Sequence, residues 1–118
     1  MDAGTLERLL VAGRSLELED FGLSSLDVQR LAPLVRDGSV DWRALAAGLS
    51  DVDLEVLVRL FTLGEGRFPA WESGARSPVI PLVAEMKARG TYPKTLTAWI
   101  KAHTGNRFLP YGSLMDRL

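Results

Sequence analysis

The chain has 118 residues, a net charge of −1 and 47% hydrophobic residues, the profile of one ordinary globular domain spanning residues 1–118, which excludes wholesale disorder. It contains no cysteine, which excludes disulfide staples, thiolate metal ligands and a cysteine nucleophile. No apolar stretch approaches the roughly 20 residues that span a bilayer, and Met1-Asp2 lacks the basic flank and apolar run of a secretory signal, so no membrane partner and a cytoplasmic location are expected.

Twenty leucines and few β-branched residues favour helix over sheet, because unbranched side chains lose little rotamer freedom in a helix. Asp2 is placed to cap a first helix over 3–12, with Leu6, Leu9 and Leu10 on one face and Gly13 as its stop. Residues 17–22 read as a linker pinning Phe21 onto the core. Ser24 caps the next helix, Asp27 sits at its third position, and Leu23 and Val28 occupy hydrophobic-staple positions. Val28, Leu31, Ala32 and Val35 share the buried face, and Pro33 is expected to kink or end this helix near Ala32. Asp41 caps a short segment from Trp42 to Ala47, closed by Gly48.

Ser50 with Asp53 opens the most strongly periodic helix, to about Leu63. Leu54, Leu57, Val58 and Phe61 follow helical spacing, and Val52, Val56, Leu60 and Leu63 widen the stripe enough to make this helix central. Gly64 and Gly66 are expected to end it. Arg67 to Ser77 reads as a loop carrying Phe68 and Trp71. A helix follows from Pro78 or Pro81 to Arg89, closed by Gly90, and Pro93 opens another over 93–104. Gly105–Leu118 reads as irregular or as one last short helix. The expected fold is all-α: a single compact bundle of five or six short helices with an irregular, aromatic- and proline-rich C-terminal segment.

Charge is sorted along the chain. Residues 1–65 hold twelve carboxylates and six arginines, while residues 66–118 hold three carboxylates, eight Lys and Arg, six of nine aromatics and five of six prolines. On the 93–104 helix, Leu96, Trp99, Ile100 and His103 share one face and Lys94, Ala98 and Lys101 another. Beyond it lie Asn106, Arg107, Phe108, Tyr111 and Ser113. Lys94, Lys101 and Arg107 with Tyr92, Phe108 and Tyr111 offer phosphate contacts and stacking surfaces; alternatively Trp99 and Phe108 are core and the cations are solvated. Trp71 and Phe68 form either an exposed aromatic anchor or a loop folded back over the bundle.

No catalytic constellation is legible. His103, the only histidine, has no G-x-S-x-G elbow to serve and is expected to pack on an apolar face, favoured by the helix dipole. Asp51, Asp53 and Glu55 point apart on a helix, Glu17, Glu19 and Asp20 form a solvated run, and Gly64-Glu65-Gly66-Arg67 lacks the rest of a phosphate-binding loop. The run Phe21-Gly22-Leu23-Ser24-Ser25-Leu26 resembles the prosthetic-group attachment loop of acyl carrier proteins, which implies phosphopantetheine on Ser25. That family has Asp where this chain has Ser24, and N-capping explains the same residues. No cofactor or metal is expected.

The expected function is a non-enzymatic binding or adaptor module that meets a protein partner through a basic, aromatic surface within 67–113, using Phe68, Trp71, Tyr92, Lys94, Lys101, Arg107 and Tyr111. The alternative is weak nucleic-acid binding through Lys94, Lys101 and Arg107, and a third reading is an enzyme with an unrecognised site. Head-to-tail self-association of acidic and basic faces is a further option.

Overall fold

Six α-helices and three 3-10 turns follow one another in the computed structural model, which describes residues 1–112. The helices are α1 (Ala3–Gly13), α2 (Ser25–Arg36), α3 (Trp42–Ala47), α4 (Asp51–Arg67), α5 (Val79–Arg89) and α6 (Lys94–His103). The turns span Glu19–Gly22, Pro69–Trp71 and Gly74–Arg76. The fold is all-α, with no strand among the described residues.

Local chemistry sets the helix starts. Asp2, Asp41 and Ser50 each accept the backbone N–H three residues on, satisfying donors that no helical carbonyl reaches. Ser24 and Asp27 form a reciprocal capping box, 3.1 Å in both directions. Ser25 is simply the exposed first residue of α2. Gly90, at φ 73°, closes α5 in the left-handed region that glycine tolerates.

Helix ends were harder to foresee, and three expectations need correcting. Helix α2 runs through Pro33 to Arg36. Its terminal carbonyls find side-chain partners: the Trp42 indole N–H donates to Leu34 at 3.0 Å and the Ser39 hydroxyl to Pro33 at 3.3 Å, so tertiary packing outweighs the single bond proline removes. Gly13 is the last residue of α1, with Arg14 as its cap, and its lack of a side chain serves close packing: a Cβ there would meet Val56 Cγ1 at 2.5 Å. Gly64 and Gly66 lie inside α4, which continues to Arg67. Here a Cβ on Gly64 would meet the Trp71 ring at 2.6 Å, so that glycine serves close packing.

Helix α4 is the centre of the bundle, packing on α1, α5, α6 and the Pro69–Trp71 turn, while α5 also covers α3. Leu54, Leu57, Val58, Leu60 and Phe61 are each fully buried. Val52 departs from the expected stripe and is 70% exposed. An aromatic chain runs through the core by edge-on and tilted contacts: Trp42 on Phe61, Phe61 on Trp71, Trp71 on Phe68 and Phe68 on Phe21, with centroids 5.0–6.1 Å apart. Phe21 reaches it from a turn in which Asp20, Phe21 and Gly22 all have positive φ, and the Asp20 carboxylate is held by Arg67 at 2.9 Å.

Residues 105–112 form irregular turns, and the option of a further helix over 113–118 falls outside the described residues. No helix of the described residues is long and apolar enough to cross a membrane.

Candidate functional site

The seven residues expected to meet a partner lie in several different environments. Phe68 and Trp71 are core: 7% and 0% exposed, with the Trp71 indole N–H donating to the Val28 carbonyl at 2.9 Å. The exposed-anchor reading of this pair is therefore corrected, since the loop folds back to fill the space above Gly64. Tyr92 and Tyr111 are half-buried and meet at the Thr97 hydroxyl, each phenol oxygen 2.7 Å from it. The Lys87 ammonium lies 3.5 Å from the Tyr111 ring centroid, so that ring already has a cation of its own. Lys94 is exposed and Lys101 half-buried, seven positions apart on α6, hence about 10 Å along its axis. Arg107 is exposed at the far end.

Trp99 and His103 also differ from expectation. Trp99 is only half-buried, and His103 is exposed rather than packed in the core. The two rings stack with centroids 4.4 Å apart, and the Arg59 guanidinium lies 4.7 Å from the Trp99 centroid. The sorting of charge along the chain is partly consumed by folding: Arg67 pairs with Asp20, and Arg89 with Asp51 at 3.0 Å, each joining the basic half to the acidic one. Asp53 and Glu55 likewise take separate cations, Arg14 and Arg59, and no group of three His, Cys, Asp or Glu among the described residues has metal-binding geometry.

What sequence reasoning passed over is Glu65. It lies in the last turns of α4 and is 8% exposed. Two segments distant in sequence close on it. The Ser77 hydroxyl donates to Oε2, while the Asn106 amide, at 3.1 Å, and the Ser73 backbone N–H, at 3.4 Å, donate to Oε1. Asn106 also donates to the Gly74 carbonyl at 2.9 Å and accepts the Phe108 N–H at 2.9 Å, which shapes the 104–108 turn. Burial disfavours the charged carboxylate, and the nearby Glu72 charge adds to it; the three hydrogen bonds oppose both only in part, so Glu65 titrates at about 7. The local signal was faint: a lone acid between two glycines reads as a helix end, and its donors sit 8, 12 and 41 residues away.

Glu65 forms part of the wall of a cleft of about 470 Å³, lined also by Gly66, Glu72, Gly74, residues 104–106, Arg107 and Phe108. Gly66, Gly74 and Gly105 have nothing within 4 Å of where a Cβ would stand, so they open backbone to the cleft. Phe108 is half-buried at its side, and Glu72 and Arg107 are exposed. A perturbed acid in a concave, mixed-polarity cleft is the physical signature of a ligand site. The carboxylate here is held by its partners, and the Ser77 hydroxyl is committed to Glu65 while it accepts the Val79 N–H. Comparison of the chain with known protein families, curated proteins and solved structures gives no match in any of the three.

Proposed function

We propose that this protein is a non-enzymatic helical adaptor that docks a protein partner at the cleft between the end of α4, residues 72–74 and residues 104–108. The observation that carries the reading is the conjunction, at one glycine-opened cleft, of an exposed arginine, an exposed carboxylate and a half-buried aromatic ring: Arg107, Glu72 and Phe108. Arginine and aromatic side chains dominate binding energy at protein interfaces. The proposed surface thus stays within 67–113 but shifts from Phe68 and Trp71 towards Arg107 and Phe108. Ser113, at its expected edge, lies outside the described residues. The proposed setting is the cytoplasm.

The test is site-specific photo-crosslinking in cells, with a benzophenone amino acid at Phe108 and, as control, at the exposed Arg43 of α3. Adducts specific to position 108 that vanish on Glu72→Arg support the reading, and an adduct of twice the chain mass identifies the partner as a second copy. No adduct, or the same adducts from position 43, overturns it.

A second reading, weak nucleic-acid binding, is favoured by Lys94 and Arg107, which are exposed and make no ion pair among the described residues. A phosphate-driven complex weakens steeply between about 50 and 200 mM salt. Fluorescence anisotropy with single- and double-stranded DNA and RNA over that range decides it, and no binding at low salt retires it.

A further inference from the structure

The chemistry around Glu65 specifies what the cleft takes. A carboxylate offers about four acceptor positions. Three are filled, two on Oε1 and one on Oε2, all by neutral donors: the Ser73 N–H, the Asn106 amide and the Ser77 hydroxyl. The charged residues lining the cleft with it are Glu72 and Arg107. Glu72 is a like charge that disfavours ionisation of Glu65, and Glu65 forms no ion pair among the described residues. Arg107 is exposed at the rim, and Arg67, two residues along α4, is committed to Asp20. A carboxylate this deeply buried without a counter-charge is costly, and its wall opens on a cleft of about 470 Å³ rather than on packed side chains.

We infer that the cleft receives a single cationic side chain, an arginine or lysine of the partner, held between the Glu65 and Glu72 carboxylates with the Phe108 ring against its apolar stem. The inference rests on the adaptor reading above and names the group that reading would recognise. Each element has an independent reason. The unfilled position on Glu65 accepts an N–H of the incoming cation, and a charge-assisted bond of that kind is about twice as strong as a neutral one. Glu72, exposed, adds attraction at the mouth. The half-buried ring of Phe108 offers apolar and π surface to a guanidinium or ammonium group, and three glycines keep the walls clear. Arg107 opposes the same charge inside the cleft, so its own contact with the partner lies at the exposed rim.

The test uses Nα-acetyl-arginine and Nα-acetyl-lysine methylamides as cationic probes and the citrulline methylamide as the neutral control, titrated into the isotopically labelled full chain by NMR. The expected result is saturable shifts of the Gly66, Gly74 and Gly105 amides and of the Asn106 side-chain amide with the cationic probes alone. Glu72→Gln weakens binding by about threefold and Arg107→Gln strengthens it by a similar factor, the scale of exposed charge pairs. Glu65→Gln abolishes it; should that variant fold poorly, the Glu72→Gln and Arg107→Gln pair and the citrulline control decide alone. Absence of shifts, equal shifts with citrulline, or indifference to both rim variants overturns the inference. Crosslinks from position 108 without probe binding leave the adaptor reading standing and remove this one. Probe binding without crosslinks overturns the adaptor reading and, with it, the assignment of the bound cation to a partner's side chain.

Discussion

The Trp71 indole N–H donates to the Val28 carbonyl at 2.9 Å, joining residues 43 positions apart. The bond ties the Pro69–Trp71 turn to α2 while the same ring packs against Gly64 of α4. One side chain thereby locks three elements, and the residues that follow are delivered to the Glu65 cleft. Replacing Trp71 by Phe leaves a cavity and removes the donor, and is expected to cost about 2–3 kcal/mol in chemical denaturation.

Gly64 and Gly66, two residues apart in the same helix, should respond in opposite senses to alanine. At Gly64 the added methyl collides with Trp71 carbons 2.6 and 2.7 Å away, an overpacking cost of about 1–3 kcal/mol. At Gly66 nothing lies within 4 Å, so alanine should stabilise by about 0.5–1 kcal/mol through its higher helix propensity. Urea denaturation of the two variants checks both signs.

Glu65 makes stability fall as pH rises. Its carboxyl titrates at about 7 in the folded chain against 4.5 as the ordinary value. A raised acid binds its proton more tightly when folded, so its contribution is complete below about 4.5 and is lost as pH climbs through about 7. The shift corresponds to roughly 3 kcal/mol. Asp2 and Asp27, whose carboxyls are lowered by hydrogen bonds from Thr5 and Ser24, act in the opposite sense at more acidic pH. Between about pH 5 and 8 Glu65 therefore supplies a falling slope, and denaturation midpoints for Glu65→Gln should lose that component relative to wild type.

Ser24 carries the clearest local stabilisation outside the core. Ser24→Ala removes the hydroxyl that accepts the Asp27 N–H at 3.1 Å and should cost about 1 kcal/mol. A cost near zero by thermal denaturation would show that α2 is held by the Trp71 and Trp42 bonds alone.

Glu72→Arg, at an exposed position, should not lower the stability of the chain by more than about 0.5 kcal/mol, while eliminating the crosslink from position 108. Circular dichroism melts run beside the crosslinking experiment separate the two effects.

All six helices and most of their starts were legible in the sequence, because periodicity and caps act within a turn or two: Asp2, Ser24, Asp41 and Ser50 announce themselves through the residue three places on. The ends of α3 and α5, at Gly48 and Gly90, were legible too, whereas those of α1, α2 and α4 were not, since Gly13, Pro33 and Gly64 are governed by what packs on them. The candidate cleft was visible only in its Arg107 and Phe108 wall. Its buried acid was hidden, because Glu65 draws its meaning from Ser77 and Asn106, neither of which shares a helix with it.

By itself the sequence determined the class of fold, the order of the helices and the identity of the central one, through patterns whose range is a few residues. Only the tertiary structure decided which aromatics are core, where the sorted charges neutralise one another and that a carboxylate stands buried beside an open cleft. The physical reason is that burial and electrostatic partnership belong to pairs of residues brought together in space. Folding sets Trp71 against Val28, Arg67 against Asp20 and Asn106 against Glu65, and no local pattern records those meetings.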